Sequence, residues 1–449
     1  MINKKISILL ITLVFLNSCS FDSKTGIWGD AQKEKKKISE LEKAQNEVIK
    51  VEKIYSTDEV FNKEVILKKS VILSQAQNNL SWPMPNLNYQ NFLGNLYLPS
   101  AASFFLKKKI GKDKFSILNA TSTLLVFNDN IIFSDDTGTI FKINNNGRIL
   151  WKKNIYKKNY KKIYKQLFFS IYKNKIFVAD NIGFVYSVNL ENGEIIWIRN
   201  YEVPIKSNIK VFDDKIFLIN QDNKIFCLNG LDGSLIWNIH SISSFIKSQN
   251  LLSIALTKEG DLIAITSAAD IFKIKGKTGS TIWSRNTADS LYSDATDFFI
   301  SSEIVIESNK IFFSSGSNFF SLNLMNGETV WRQDATSIAT PIISGKNVFI
   351  VTENGFFVIL EKDTGKIISS SNILKILKKK KQKTKVSGFV MGSSKIYSVT
   401  QNGFLIVSSA NTGMTENFIK IGGSNISPLT VSNGRLYILT NKSKILVLN

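Results

Sequence analysis

KIFVADNIGFVYSVNLENGEIIWIRN, residues 175–200, holds the unit from which most of the chain is built. Three apolar runs, KIFVAD, FVYSVNL and EIIWIRN, are separated by Asn181-Ile182-Gly183 and Glu191-Asn192-Gly193. Short β-branched and aromatic runs broken by Asn/Gly turns read as strand, hairpin, strand, hairpin, strand. The second turn ends in Gly193, and Trp197 follows four residues later. The same phrase recurs at Gly147/Trp151, Gly233/Trp237, Gly279/Trp283 and Gly327/Trp331. Two further copies keep the glycine and lose the tryptophan, at Gly365/Ser369 and Gly413/Asn417. Successive copies lie 38 to 48 residues apart, a period that marks a repeat architecture.

Each unit is preceded by one more apolar segment, as IATPIISGKN precedes VFIVTENG, so a repeat holds four strands, the content of one propeller blade. Eight copies of the third strand run from TIFKIN (139–144) to KILVLN (444–449). The expected fold is all-β: an eight-bladed propeller of four-stranded blades over residues 81–449. The eighth unit lacks its outer strand, which would leave an unpaired edge inside a blade. ASFFLKKKIG (102–111) has the character to supply it and close the ring, with Phe104 or Phe105 in the tryptophan's place. The repeated glycine suits a turn at positive φ. Trp151, Trp197, Trp237, Trp283 and Trp331 read as packing residues that cover apolar area between blades while their N–H groups find partners.

The N-terminus reads as an address. In MINKKISILLITLVFLNS (1–18), Lys4 and Lys5 precede an apolar run, Ile6 to Leu16, shorter than the roughly 20 residues of a membrane span. Leu16-Asn17-Ser18-Cys19 resembles a bacterial lipobox. That resemblance implies cleavage before Cys19 and acylation of its sulfur and amine; the alternative is an ordinary secretory signal with an incidental cysteine. Ser20, where an aspartate would favour the inner membrane, points to the outer one. Residues 19–80 read as a tether. AQKEKKKISELEKAQNEVIK (31–50) forms either a short amphipathic helix or a solvated spacer, and Trp28 either touches the membrane interface or is a tether aromatic.

The formal charge is +21, which invites a nucleic-acid or anionic-membrane partner. A chain saturated with Lys, Asn and Ile, as an AT-rich genome gives, acquires that charge without a selected surface, and export removes nucleic acid as a partner. KKNIYKKNYKKIYK (152–165) and ILKILKKKKQKTK (373–385) are the basic stretches, read as solvated loops or as contacts for anionic headgroups or an acidic partner. Cys227, in KIFCLNG, reads as a buried small hydrophobe, and His240 as a structural or surface residue. Neither metal-ligand spacing nor a disulfide framework is present, so no cofactor or metal is expected.

The units resemble the PQQ-type propeller repeat, most closely at Lys277-Thr278-Gly279 with Trp283 and at Asp363-Thr364-Gly365. Quinoprotein dehydrogenases share this repeat, but commonly carry an adjacent-cysteine pair that this sequence lacks. The lipobox, the eight units and NNLSWPMPNLNYQN (78–91) resemble instead the BamB family of outer-membrane assembly lipoproteins. That resemblance implies a scaffold without chemistry, lipid-anchored at the periplasmic face of the outer membrane. It would dock a POTRA domain of a BamA-like assembly subunit and serve unfolded outer-membrane protein clients. The family's contact loops correspond to SISSFIKSQN, offering Ile246 and Lys247, and to NTADSLYSDATD, offering Asp294 and Asp297. Lysine stands at 247 where the family has arginine, which loses a bidentate fork. Edge-strand addition of a client to blades 6 and 7, which lack the tryptophan, is a second mode. The alternatives to this reading are a quinoprotein-like enzyme and a lipid-anchored propeller adaptor of another system.

Overall fold

The computed structural model describes Lys36 and residues 61–449, apart from 69, 116–123, 242–246, 248–249, 289–298 and 423–427. Cys19, Trp28 and the 31–50 segment, Lys36 aside, lie outside the described residues. Eight antiparallel four-stranded sheets form the ring. Blade 1 is Leu125–Phe127, Asn130–Ser134, Thr139–Asn144 and Ile149–Asn154, from axis to rim. Six further blades repeat that order. Blade 8 takes Thr430–Ser432, Arg435–Leu439 and Lys444–Leu448 from one end of the chain and its outer strand, Phe104–Lys109, from the other. The ring thus closes as its unpaired edge requires.

Local chemistry sets the turns. First-to-second hairpins place Asn128-Asp129, Asp213-Asp214 and Ser393-Ser394 at positive φ, the paired conformation of a type I′ turn. Second-to-third turns are held by one side chain: Asp180 Oδ1 accepts from the amides of Ile182, Gly183 and Phe184 at 2.8–2.9 Å. Strand directions alternate, so first-to-second and third-to-outer turns leave one end of the ring, the turn face. Second-to-third turns and the links between blades leave the other end, the link face.

Each tryptophan locks its blade to the next. Its indole N–H donates to a carbonyl of the following blade: Trp151 to Leu190, Trp237 to Gly276, Trp283 to Leu324 and Trp331 to Lys362, at 3.0–3.1 Å. Trp197 reaches Gly230 at 3.4 Å. Its ring lies on the repeat glycine of that blade, where a Cβ would come within 2.5–2.9 Å of the indole. The glycine is therefore required twice, for its φ of +71° to +78° and for this approach. Cys227, opposite Trp237, is buried as expected, and burial pushes its thiol up to about 12. His240 is exposed.

In blade 8 the tryptophan's place belongs to Leu106, not to Phe104 or Phe105. Leu106 pairs with Val447 as Trp237 pairs with Cys227, and Phe104 with Leu448 as Leu235 with Leu228. The same one-residue bulge skips Phe105 and Ile236. Leu106 Cδ1 also meets the space above Gly147 that an indole fills elsewhere.

The compact unit containing the ring begins at Val60, so the 80/81 boundary falls inside it. Residues 61–98 form a strap. Val65 exchanges two backbone hydrogen bonds of 2.9 Å with Ser370 on blade 6's outer strand. The Val71 amide donates to Asn411 O of blade 7 at 3.1 Å. The strap thus covers the seam where Ser369 replaces tryptophan, and Ser369 and Ser370 are buried. It then fills the axis. Trp82 pairs with Val126 of blade 1, and Ile171, Leu256 and Ile306 of blades 2, 4 and 5 donate to Pro83 O, Tyr89 O and Gln90 O. Lys210 of blade 3 donates to Pro85 O and Asn88 O. Ser393 of blade 7 donates to Leu96 O, and Asn79 donates to Val431 O of blade 8. One segment bonds to all eight blades.

Candidate functional site

The link face carries the two loops that the sequence singles out. The first, between blades 3 and 4, holds Lys247, which is exposed with its Nζ 3.8 Å from Asp222 Oδ1. Ile246, Asp294 and Asp297 lie outside the described residues. The flanks of both loops are described, and they meet. Asn250 Nδ2 donates to Phe299 O at 3.0 Å, and the bases of the loops are tied to blade 4's turn by Ser241 Oγ to Asp270 and Asn286 Nδ2 to Ala268 O. Beside this junction Leu251 is 40% and Ile300 64% exposed. Sequence reading missed both, because an apolar residue just before an apolar inner strand looks like core. The described flanks thus place two exposed apolar residues and an exposed lysine on two joined loops.

On the axis, a cavity of about 210 Å3 lies against the strap residues Trp82, Pro85, Asn86 and Leu93. Its wall comes from residues just before the inner strands, among them Gln166, Asn208, Ser253, Ser302 and Glu303. Glu303 is held by Asn208 Nδ2 and Ser253 Oγ, both at 2.6 Å. Below it Lys210 is fully buried, and the loss of water pushes its ammonium down to about 7, against the attraction of Glu303. Its two acceptors at 2.6 and 2.8 Å are strap carbonyls, so this lysine fastens the strap. Among the described residues no group of three or more His, Cys, Asp or Glu side chains could hold a metal ion.

A family model described as outer membrane protein assembly factor BamB matches residues 136–371, more than half of the chain. The BamB of Shewanella oneidensis is 24% identical over 224 residues, 43% of this chain and 53% of that protein. The BamB of Yersinia pestis is 19% identical over 204 residues, 44% of this chain and 51% of that protein. The chain thus spans about half the length of the curated relatives it matches. Among solved structures, BamB from Moraxella catarrhalis superposes with a TM-score of 0.62 at 14% identity, over 77% of this chain and 98% of that one. The quinohemoprotein alcohol dehydrogenase of Comamonas testosteroni superposes almost as well, with a TM-score of 0.61 at 11% identity, over 81% and 77%. These structural likenesses show the propeller alone, and it is the sequence match through blades 1 to 6 that separates the two groups. The chain belongs to the family of the outer membrane protein assembly factor BamB.

Proposed function

We propose that the protein is a non-catalytic scaffold of the outer-membrane β-barrel assembly machinery, anchored through lipid on Cys19 at the periplasmic face. It docks a POTRA domain of the barrel-forming subunit through the loops between blades 3, 4 and 5 and so supports the insertion of client barrels. Family membership carries this reading. The junction of the two loops at Asn250 and Phe299, with Leu251 and Ile300 exposed beside it, supports the place of contact. Ile246 and Lys247 supply the apolar and basic side of the contact, and Asp294 and Asp297 the acidic side. Lys247 offers a point charge where a guanidinium would form a fork, so this half of the interface is the weaker one.

The axis favours a scaffold over a quinoprotein. It is filled by the chain's own strap, and the remaining cavity offers one carboxylate, Glu303, among amides and hydroxyls. Calcium takes roughly six to eight oxygen ligands, usually including several carboxylates. The test is affinity purification of the full-length protein from outer membranes. The barrel-forming subunit copurifies with the native chain and is lost with Asp294→Arg combined with Asp297→Arg, while the thermal midpoint of the variant stays put. Failure of the native chain to retain that subunit removes the assembly role. Dye-linked alcohol oxidation after reconstitution with pyrroloquinoline quinone and Ca2+ removes the scaffold reading.

A further inference from the structure

Blades 6 to 8 and 1 to 2 give the link face a second, different surface. The insertion after blade 6 carries Lys378, Lys379, Lys380, Lys381 and Lys383, all exposed. It is no loose loop: Ile373, Leu374 and Leu377 are buried beneath it, and Gln382 Nε2 donates to Leu377 O at 2.7 Å. The link from blade 1 to blade 2 presents Lys157, Lys158, Lys161 and Lys162 around Ile163, which is exposed. This link too is fixed, by Tyr156 O–H to Asp180 at 2.5 Å, by buried Lys165 donating to Tyr160 O, and by the Tyr160 ring edge-on to Phe184. Lys112 and Lys114 extend the second cluster toward blade 8. Lys114 Nζ reaches Lys161 O at 3.4 Å, and Ser443 Oγ of blade 8, beside exposed Lys442, donates to Lys112 O at 2.6 Å.

Genomic bias toward lysine would load both faces alike, but the lysines are grouped differently on the two. On the turn face they are scattered. Some are paired with acids: Lys173 with Asp214 and Lys310 with Asp363 at 2.6 Å, Lys142 with Glu191 at 2.9 Å, Lys362 with Glu307 at 3.3 Å. Others, Lys258, Lys275, Lys277, Lys346 and Lys366, are exposed without an ion pair among the described residues. Among the described residues none of the insertion lysines 378–383 or link lysines 157–162 forms an ion pair, although Lys375–Glu64 and Lys385–Glu353 flank the insertion. A second observation is independent of charge. Phe61 O accepts from Asn354 Nδ2 at 2.8 Å, in blade 6's turn on the link face. Phe61, where the described strap begins, therefore lies on this face next to the insertion.

We propose that this basic half of the link face docks onto an anionic phospholipid surface, with Ile163 and Tyr160 seated among the headgroups. Fixed, unpaired lysines around an exposed apolar residue suit that surface, since each lysine near an anionic leaflet contributes about fivefold in affinity. The proposal rests on the lipid-anchor reading above only in that the anchor brings the ring to a membrane; the face that meets it is argued from the charge pattern. The loops between blades 3 and 5 lie on the opposite side of the same face, so both contacts can be made at once.

The test uses the full-length protein purified from membranes and mixed with vesicles of phosphatidylcholine alone or of equal parts phosphatidylcholine and phosphatidylglycerol. Lysines are then acylated with a water-soluble amine reagent and mapped by mass spectrometry. Lys157, Lys158, Lys161 and Lys378–Lys381 are expected to be protected several-fold on the anionic vesicles only, with Lys173 and Lys310 unchanged and protection falling at high salt. Lys378→Glu with Lys379→Glu and Lys380→Glu should abolish the protection while leaving the melting temperature unchanged. Equal labelling on both vesicles overturns the proposal. So does protection that appears only in membranes containing the assembly subunit, which would assign the surface to an acidic protein. A chain that fails to float with phosphatidylcholine vesicles refutes the lipid anchor instead. The docking proposal is then read from flotation with the anionic vesicles, and falls if that is absent too.

Discussion

Two glycines with the same backbone should respond differently to the same methyl group. Gly365 and Gly413 have φ of +71° and +72°, so alanine at either pays the same left-handed penalty, about 1–2 kcal/mol. At Gly365 the new Cβ would lie 2.5 Å from Cδ2 and Cε3 of Trp331. That indole cannot retreat: its N–H is bonded to Lys362 O at 3.0 Å, and Phe312 and Phe319 pack on it with centroids 6.0 and 5.8 Å away. Overpacking of this kind adds about 1–3 kcal/mol. At Gly413 the nearest atom is Ser369 Oγ at 2.6 Å, the end of a small side chain that can rotate. Gly413→Ala should therefore cost about 1–2 kcal/mol and Gly365→Ala about 2–5 kcal/mol. Trp331→Ser supplies the control. In its background Gly365→Ala should cost no more than Gly413→Ala, a coupling of about 1–3 kcal/mol in the double-mutant cycle. Urea midpoints with a check that the m-value is constant give the energies. Equal costs at the two glycines, or no coupling to Trp331, would refute the stacking account of the repeat.

Ser369→Trp restores the repeat consensus, yet it should destabilise, because the strap already fills that seam and Ser369 is buried beneath it. Limited proteolysis should then cut within residues 61–74, and an unchanged digestion pattern with a raised melting temperature would contradict the strap's role. Lys210 should give a pH signature. With its folded pKa near 7 and an unfolded value of 10.5, the unfolded chain binds more protons between them. The native protein should gain on Lys210→Met by up to about 1.4 kcal/mol per pH unit from pH 7 upward. A stability difference that stays flat from pH 7 to 10 would place the lysine in a wetter site.

The fold was legible because it is periodic. A Gly/Trp phrase repeated at fixed offsets reports a local structure, and the missing eighth outer strand followed from the need to close an edge. What the sequence hid is what acts across long separations. Ser369 looked like decay of the motif, but its seam is filled from residues 65 to 73, some three hundred positions upstream, and no local pattern announces that. Leu106 was missed because a one-residue bulge moves the register past Phe105, and aromatic character is a poor guide to register. The loops of the candidate interface were named through the family resemblance. Their apolar anchors, Leu251 and Ile300, were not, since exposure depends on neighbouring blades.

A ring of blades that touched only their neighbours would behave as a one-dimensional array, its stability a sum of local terms, and strain at one interface would reach the others only through the intervening seams. The strap changes that topology. It bonds to every blade near the axis, so blade 3, fastened through Lys210, and blade 7, fastened through Leu96, share one rigid hub as well as a chain of seams. The two halves of the link face belong to blades on opposite sides of that hub. A scaffold that holds a partner domain on one half and a lipid surface on the other needs the angle between them fixed. The hub supplies that constraint. On the function proposed above, filling the axis and fixing the faces are one structural choice, made by the strap and not by the repeated tryptophan.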